Sequence, residues 1–202
     1  HQTDPDTGQP MVDVILDAAG QKGTGIWTGV AALELGVPAP TLIAAALARS
    51  LSAMKDQRVA AAQILSLPTG VKFDAKRLAS DLESALIVTR LINYAQGFAL
   101  IAMASSARDW AIPLHRIAEI WRGGCIIRAK ILDDVASVFA GRPDMPNLLI
   151  AERWKEAIGV GTAALRGVVA LSASAGAPTP VFASALAYHD GYASALLPAN
   201  LL

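Results

Sequence analysis

A run of 33 residues from Ala75 to Ala107 keeps a helical apolar period without a single proline. No other feature constrains the fold as tightly. As one helix it is about 50 Å long at 1.5 Å per residue, so the rest of the chain must be arranged along it. Its first half carries one apolar stripe, Leu78, Leu82, Ala85, Val88 and Ile92, and Asp74 stands where a carboxylate caps the orphan N–H groups of a first turn. From Leu100 to Ala104 the run is apolar on every side. Such a stretch needs cover on every side, which points to a core shared with another domain or subunit.

The remaining segments also read as helices. Met11 to Ala19 ends at Gly20, Trp27 to Leu35 closes at Gly36 and Pro38, and Thr41 to about Leu65 is a long Ala/Leu pattern. Leu114 to Trp121 follows Pro113. Gly123-Gly124 marks a joint before a helix from Cys125 to Phe139, and Leu148 to about Ala175 precedes Gly176. Thr179-Pro180 offers a cap and a first-turn proline for Val181 to Leu197. Alanine supplies 40 of the 202 residues and aromatics only 5%, which suits closely packed helices and not strands. The fold class is therefore all-α. A short helix, a loop and a long helix come before about residue 110 and a comparable set after it, which suggests two similar helical halves.

Seventeen basic and seventeen acidic residues cancel to a formal net charge of zero, which argues against a nucleic-acid partner. One cysteine forms no internal disulfide and no metal-ligand spacing of Cys and His occurs, so a reducing cytoplasm is the expected location and no metal site is expected. The longest uncharged stretch, Gly167 to Tyr188, is interrupted by Gly176, Pro178 and Pro180. It reads as a buried helix and a turn, with no membrane partner. The start at His1 lacks a signal peptide's basic and apolar regions.

Chemistry concentrates around residues 21–29. Gly23-Thr24-Gly25-Ile26-Trp27-Thr28-Gly29 nearly spells a dinucleotide fingerprint, but the spacing is one residue too long and no strand precedes it. A phosphate pocket remains: glycines admit backbone N–H groups to an anion, Thr24 adds a hydroxyl, Lys22 adds a cation, and the following helix turns its positive end toward them. The same residues also suit an ordinary inter-helix turn with a solvated lysine. Arg49 interrupts the apolar run from Leu42 to Ala48, either as an anion ligand or as a paired or snorkelling side chain. Asp133-Asp134 and His189-Asp190 are adjacent pairs that diverge by about 100° on a helix. Arg122 and Arg128 flank the glycine joint as candidate partners for carboxylates. No catalytic set of Ser, His and Asp or of paired carboxylates assembles.

Several blocks, in order, resemble a known family: Val12-Asp13-Val14-Ile15-Leu16-Asp17, Gly20-Gln21-Lys22-Gly23-Thr24-Gly25, Lys55-Asp56-Gln57-Arg58, Tyr94-Ala95-Gln96-Gly97-Phe98, Trp121 to Arg128, Ala187 to Tyr192 and Leu197 to Leu201. The sequence is similar to the C-terminal all-helical domain of 6-phosphogluconate dehydrogenase. The resemblance implies that residues 1–202 form one substrate-binding and homodimerisation domain. The parent enzyme oxidises 6-phosphogluconate at its third carbon with NADP, and the keto acid then loses carbon dioxide to give ribulose 5-phosphate. By motif, Lys22, Thr24 and Arg49 bind the substrate phosphate; Ile26 replaces a basic residue often found there. The family's Rossmann domain, its catalytic lysine and glutamate and its C-terminal tail have no counterpart here. No catalytic residue is therefore expected in this chain, NADP is bound elsewhere, and the chain alone is expected to be inactive. Two alternatives stand beside this: a domain of another hydroxyacid dehydrogenase, or a non-enzymatic helical dimerisation module.

Overall fold

The computed structural model describes residues 2–201; His1 and Leu202, the ends of the expected 1–202 domain, lie outside the described residues. Nine α-helices follow one another among those residues: α1 (Met11–Val14), α2 (Thr24–Glu34), α3 (Pro40–Ala53), α4 (Lys55–Ala62), α5 (Ala75–Ala107), α6 (Leu114–Gly124), α7 (Ile131–Gly141), α8 (Lys155–Ser174) and α9 (Pro180–Ala193). Short 3-10 turns occupy Leu148–Ile150, Glu152–Trp154 and Pro198–Leu201. The only strand-like pairing among the described residues is an isolated bridge between Thr3 and Pro10. The chain is all-α.

Helix α5 is the axis of the molecule. Asp74 caps it as expected, its carboxylate accepting from the Lys76 and Arg77 N–H groups at 2.9 and 3.1 Å. Val88, Leu91, Ile92, Ala95 and Phe98 enter the main core, where they meet Leu132, Val135 and Phe139 of α7, Leu165 and Val168 of α8, and Ala185 and Tyr188 of α9. Phe98 packs between Trp121 and Phe139, with both ring centroids 5.2 Å away. The α5–α8 crossing is tight at Gly161, where a β-carbon would lie 2.6 Å from the Val88 β-carbon. Helix α5 and the segment Glu152–Ser174 are each long and apolar enough to cross a membrane; here they pack against each other. The uncharged stretch Gly167 to Tyr188 is divided between α8 and α9 by a turn.

A buried polar tie joins α3 to α5. Proline at the first position of α3 has no N–H, and the next N–H, that of Thr41, donates to Gln96 Oε1 at 3.1 Å. The Thr41 hydroxyl donates to the same oxygen at 2.6 Å, and both residues are fully buried. The orphan donor at this helix start is thus satisfied by α5 and not by a local cap.

Several helix boundaries differ from the sequence reading. Helix α1 stops at Val14, where Ile15 adopts an extended conformation and the chain bends. Val12, Ile15 and Leu16 are exposed, so no packing supports a longer helix. Helix α2 begins at Thr24, three residues early. The expected helix from Thr41 to Leu65 is two, broken at Met54, because Arg58 takes the Ser52 carbonyl that a continuous helix would pair with the Asp56 N–H. Cys125 is extended and α7 begins only at Ile131, the intervening loop being held by the Tyr94 hydroxyl donating to the Ile127 carbonyl at 2.7 Å. The residues before α8 form 3-10 turns because the Asn147 side chain accepts from the Leu149 N–H and donates to the Tyr188 hydroxyl. Thr179 makes no side-chain cap, and α9 ends at Ala193.

The two halves share a turn, one copy on each side of about residue 110. Gly36-Val37-Pro38-Ala39-Pro40 links α2 to α3, and Gly176-Ala177-Pro178-Thr179-Pro180 links α8 to α9. Both glycines are left-handed, at φ +65° and +64°. In both turns the next residue's N–H closes on the carbonyl five residues back (Val37 to Ala32 at 2.8 Å, Ala177 to Ser172 at 2.9 Å), the Schellman arrangement. Helices α3 and α9, both 14 residues long and opened by these prolines, then pack on each other.

Candidate functional site

Helices α2 and α3 run antiparallel at close range. A β-carbon on Gly25 would lie 3.3 Å from that of Ala46, and one on Gly29 would lie 3.5 Å from Ile43 Cγ1. These two glycines let the two helices pack closely. The register brings the start of α2, with Lys22 and Thr24, to the end of α3 that carries Arg49.

The segment before α2 lies over that end of α3, held by side chains. The Ala19 N–H donates to Ser52 Oγ at 2.9 Å, Gln21 Nε2 donates to the Ala46 carbonyl at 3.3 Å and to Ser50 Oγ, and Arg49 Nε donates to the Gly20 carbonyl at 2.9 Å. Arg49 Nη2 donates to that same carbonyl. Arg49 is therefore an exposed side chain that grips the loop backbone two residues from Lys22, and among the described residues it makes no carboxylate pair. Lys22 and Thr24 are exposed beside it.

Gly23, left-handed at φ +94°, turns the chain into α2, whose first closed bond runs from the Trp27 N–H to the Gly23 carbonyl at 3.0 Å. The N–H groups of Thr24, Gly25 and Ile26 therefore have no helical acceptor and face outward at the positive end of an 11-residue helix. One cation from the loop, one from α3, a hydroxyl and three free N–H groups share one end of the α2–α3 pair. Chemically, such a set is complementary to a doubly charged, multi-oxygen anion.

Asp17, Lys55 and Arg58 belong to this region, although the sequence offered them only within the blocks that carry the resemblance, with no role at the site. The Asp17 carboxylate accepts from Lys55 Nζ and, at 3.1 Å, from Arg58 Nη1. Hydrogen bonds from Lys55 and then Arg58 hold its pKa at about 2, below the usual 3.8. The i, i+3 spacing of Lys55 and Arg58 is the signal that places both cations on one helical face.

The other candidates separate. Asp133 pairs with Arg122 at 2.6 Å and Asp134 with Arg153 at 2.6 Å, so the adjacent carboxylates diverge as expected. Asp190 takes Arg166 through two parallel bonds at 2.7 and 2.9 Å and meets His189 Nδ1 at 3.0 Å, so this adjacent pair converges where divergence was expected, and the Asp190 pKa is lowered first by Arg166 and then by His189. Arg128 lines a cavity of about 660 Å³ beside α5 with Arg90, Asn93 and Tyr94, and has no carboxylate partner among the described residues. Larger than the 160 Å³ hollow along the α2–α3 seam, that cavity is mostly apolar and holds neither Lys22 nor Arg49.

Comparison with known proteins agrees across the chain. Residues 1–202 match the model of the family described as 6-phosphogluconate dehydrogenase, C-terminal domain. The NADP(+)-dependent, decarboxylating 6-phosphogluconate dehydrogenase of Bacillus subtilis (strain 168) is 45% identical over 201 residues, covering 98% of this chain and 43% of the relative. The decarboxylating 2 form from Saccharomyces cerevisiae is 45% identical over 198 residues, with 96% and 40% covered. A solved structure of Plasmodium falciparum 6-phosphogluconate dehydrogenase, described in apo form and with NADP+ or 6-phosphogluconate, superposes with a TM-score of 0.90 at 36% identity, covering 98% of this chain and 43% of that one. The chain thus spans about two fifths of the length of the relatives it matches.

Proposed function

This chain belongs to the 6-phosphogluconate dehydrogenase family, as its C-terminal domain, and from that premise we propose that it holds the phosphate of 6-phosphogluconate between Lys22, Thr24 and Arg49. The observation that carries the reading is the α2–α3 register, which sets the free N–H groups of Thr24, Gly25 and Ile26 at the same end as the Arg49 guanidinium. A phosphate monoester carries about −1.5 to −2 charges at pH 7, matched here by two side-chain cations and a helix N-terminus. An unphosphorylated sugar acid gives no use for such a set.

In the reaction of the family, NADP takes the hydride from the third carbon of the substrate, and loss of carbon dioxide follows. The part of this chain is binding: anchoring the remote phosphate restricts how the sugar acid lies for chemistry performed by other residues. We expect no NADPH from the 202 residues alone. The proposed setting is the cytoplasm, and the proposed partner is a second copy. A compact monomer of 21.0 kDa exposes about 9,000 Å², whereas this chain exposes 13470 Å², with Leu33, Ile64, Leu86 and Ile87 among its exposed apolar side chains.

Titration with 6-phosphogluconate and with gluconate tests the assignment. The phosphorylated ligand is expected to bind and gluconate not, with Lys22→Ala and Arg49→Ala each weakening the former by about tenfold, the effect of losing one charge-assisted contact. Equal affinity of the wild type and both variants overturns it. Sedimentation of the wild type tests the second copy, and a monomer at micromolar concentration overturns that part.

A further inference from the structure

We infer that Arg58 is a positioning residue for the phosphate cradle, stapling the segment Asp17–Lys22 to the end of α3 so that Lys22 stays at the end that carries Arg49. The inference rests on the reading of Lys22, Thr24 and Arg49 as phosphate ligands.

One guanidinium makes three bonds that converge on two separate pieces of chain. Arg58 Nη1 donates to Asp17 Oδ2 at 3.1 Å, and Nη2 donates to the Asp17 carbonyl at 2.9 Å and to the Ser52 carbonyl at 2.9 Å. Ser52 relays the tie in both directions, since its hydroxyl accepts from the Ala19 N–H at 2.9 Å and donates to the Arg49 carbonyl at 2.8 Å. From Asp17 to Gly20 the chain is not helical, and Ile15 and Leu16 just before it are 63% and 70% exposed. Apolar packing therefore restrains this segment little, and the polar ties to α3 and α4 do the holding. The break at Met54 is part of the device. There the Ser52 carbonyl takes Arg58 in place of a helical partner, and the same guanidinium reaches Asp17. A lysine at 58 has a single nitrogen and cannot span these acceptors as a planar fork does. Arg58 has no place among the proposed ligands: it acts through Gly20 and Lys22, which the segment carries.

The test is a titration of the 202-residue chain with inorganic phosphate at low temperature, read from the backbone amide shifts of Thr24, Gly25 and Ile26, with thermal unfolding recorded alongside. Arg58→Met is expected to raise the Kd about tenfold through misplacement of the ligands, with faster hydrogen exchange at the Ala19 amide. Arg58→Lys should fall between, and Asp17→Glu should stay within twofold of wild type. Should Arg58→Met fail to fold, Ser52→Ala decides: it keeps every Arg58 acceptor, removes the Ala19 tie, and is expected to raise the Kd at least threefold. A Kd within twofold of wild type in a folded Arg58→Met chain, or in Ser52→Ala where that variant decides, overturns the inference. Lys22→Ala separates the two layers. If it abolishes phosphate binding while the Arg58 variants do not, the positioning role alone falls; if the wild type binds no phosphate, the ligand reading falls and takes this inference with it.

Discussion

Gly161 of α8 lies so close to Val88 of α5 that a β-carbon on the glycine would come within 2.6 Å of the valine's own and 3.2 Å of the Ser84 carbonyl oxygen. Neither neighbour is the end of a flexible side chain, so the helices must separate to admit a methyl group. Gly161→Ala should therefore destabilise the chain by about 1–3 kcal/mol despite alanine's higher helix propensity. Val88→Ala should recover part of that loss in the double variant. Urea unfolding of the four proteins checks this, and additive losses would count against the crossing.

Gln96→Leu removes the acceptor of two fully buried Thr41 donors. The expected cost is about 2–4 kcal/mol, the range for leaving buried donors unpaired. Thr41→Val should cost less, because the Thr41 N–H keeps its bond to Gln96. Equal losses in denaturant titrations would show that the tie is not what matters.

Asp74 and Thr179 stand before helices in the same way, yet only Asp74 makes a side-chain cap. Asp74→Ala is expected to cost about 1 kcal/mol, and Thr179→Ala less than about 0.5 kcal/mol, as for a side chain outside such features. Thermal unfolding of both variants makes the comparison.

Acid should loosen the segment before α2. The Asp17 carboxyl, held at about 2 by Lys55 and Arg58 against a usual 3.8, has a folded pKa below its unfolded one. Its contribution is complete above pH 3.8 and disappears as pH falls through about 2. Exchange at the Ala19 amide should quicken across that window in the wild type. Asp17→Asn should exchange quickly even at neutral pH and show less dependence there.

Where local chemistry decides structure, the sequence was readable. Asp74 and the apolar period after it define α5 over its full 33 residues, and Gly36 and Gly176 mark the two helix stops. What escaped reading depends on partners far along the chain. Met11–Val14 has the period of a longer helix but nothing to pack on. The break at Met54 comes from Arg58 reaching Ser52 and Asp17, and the late start of α7 follows a loop tied to Tyr94. Lys22, Thr24 and Arg49 were visible as residue types, whereas the packing role of Gly25 was not. Its neighbour across the α2–α3 seam, Ala46, is 21 positions away, and no spacing rule within one helix connects them. The Gly-x-Pro-x-Pro turns stand in the sequence at both places, but only the packing of α3 on α9 relates them.

The Gly20 carbonyl occupies one edge of the Arg49 guanidinium, through Nε and Nη2. An oxyanion bound as proposed would therefore meet a side chain whose rotamer is already chosen, and little freedom would be left for the ligand to quench. Only the terminal fork, formed by Nη1 and the second Nη2 hydrogen, can receive it, which limits the approach to one direction. Selectivity at this position would then come from the angle at which an anion arrives as much as from the charge it carries.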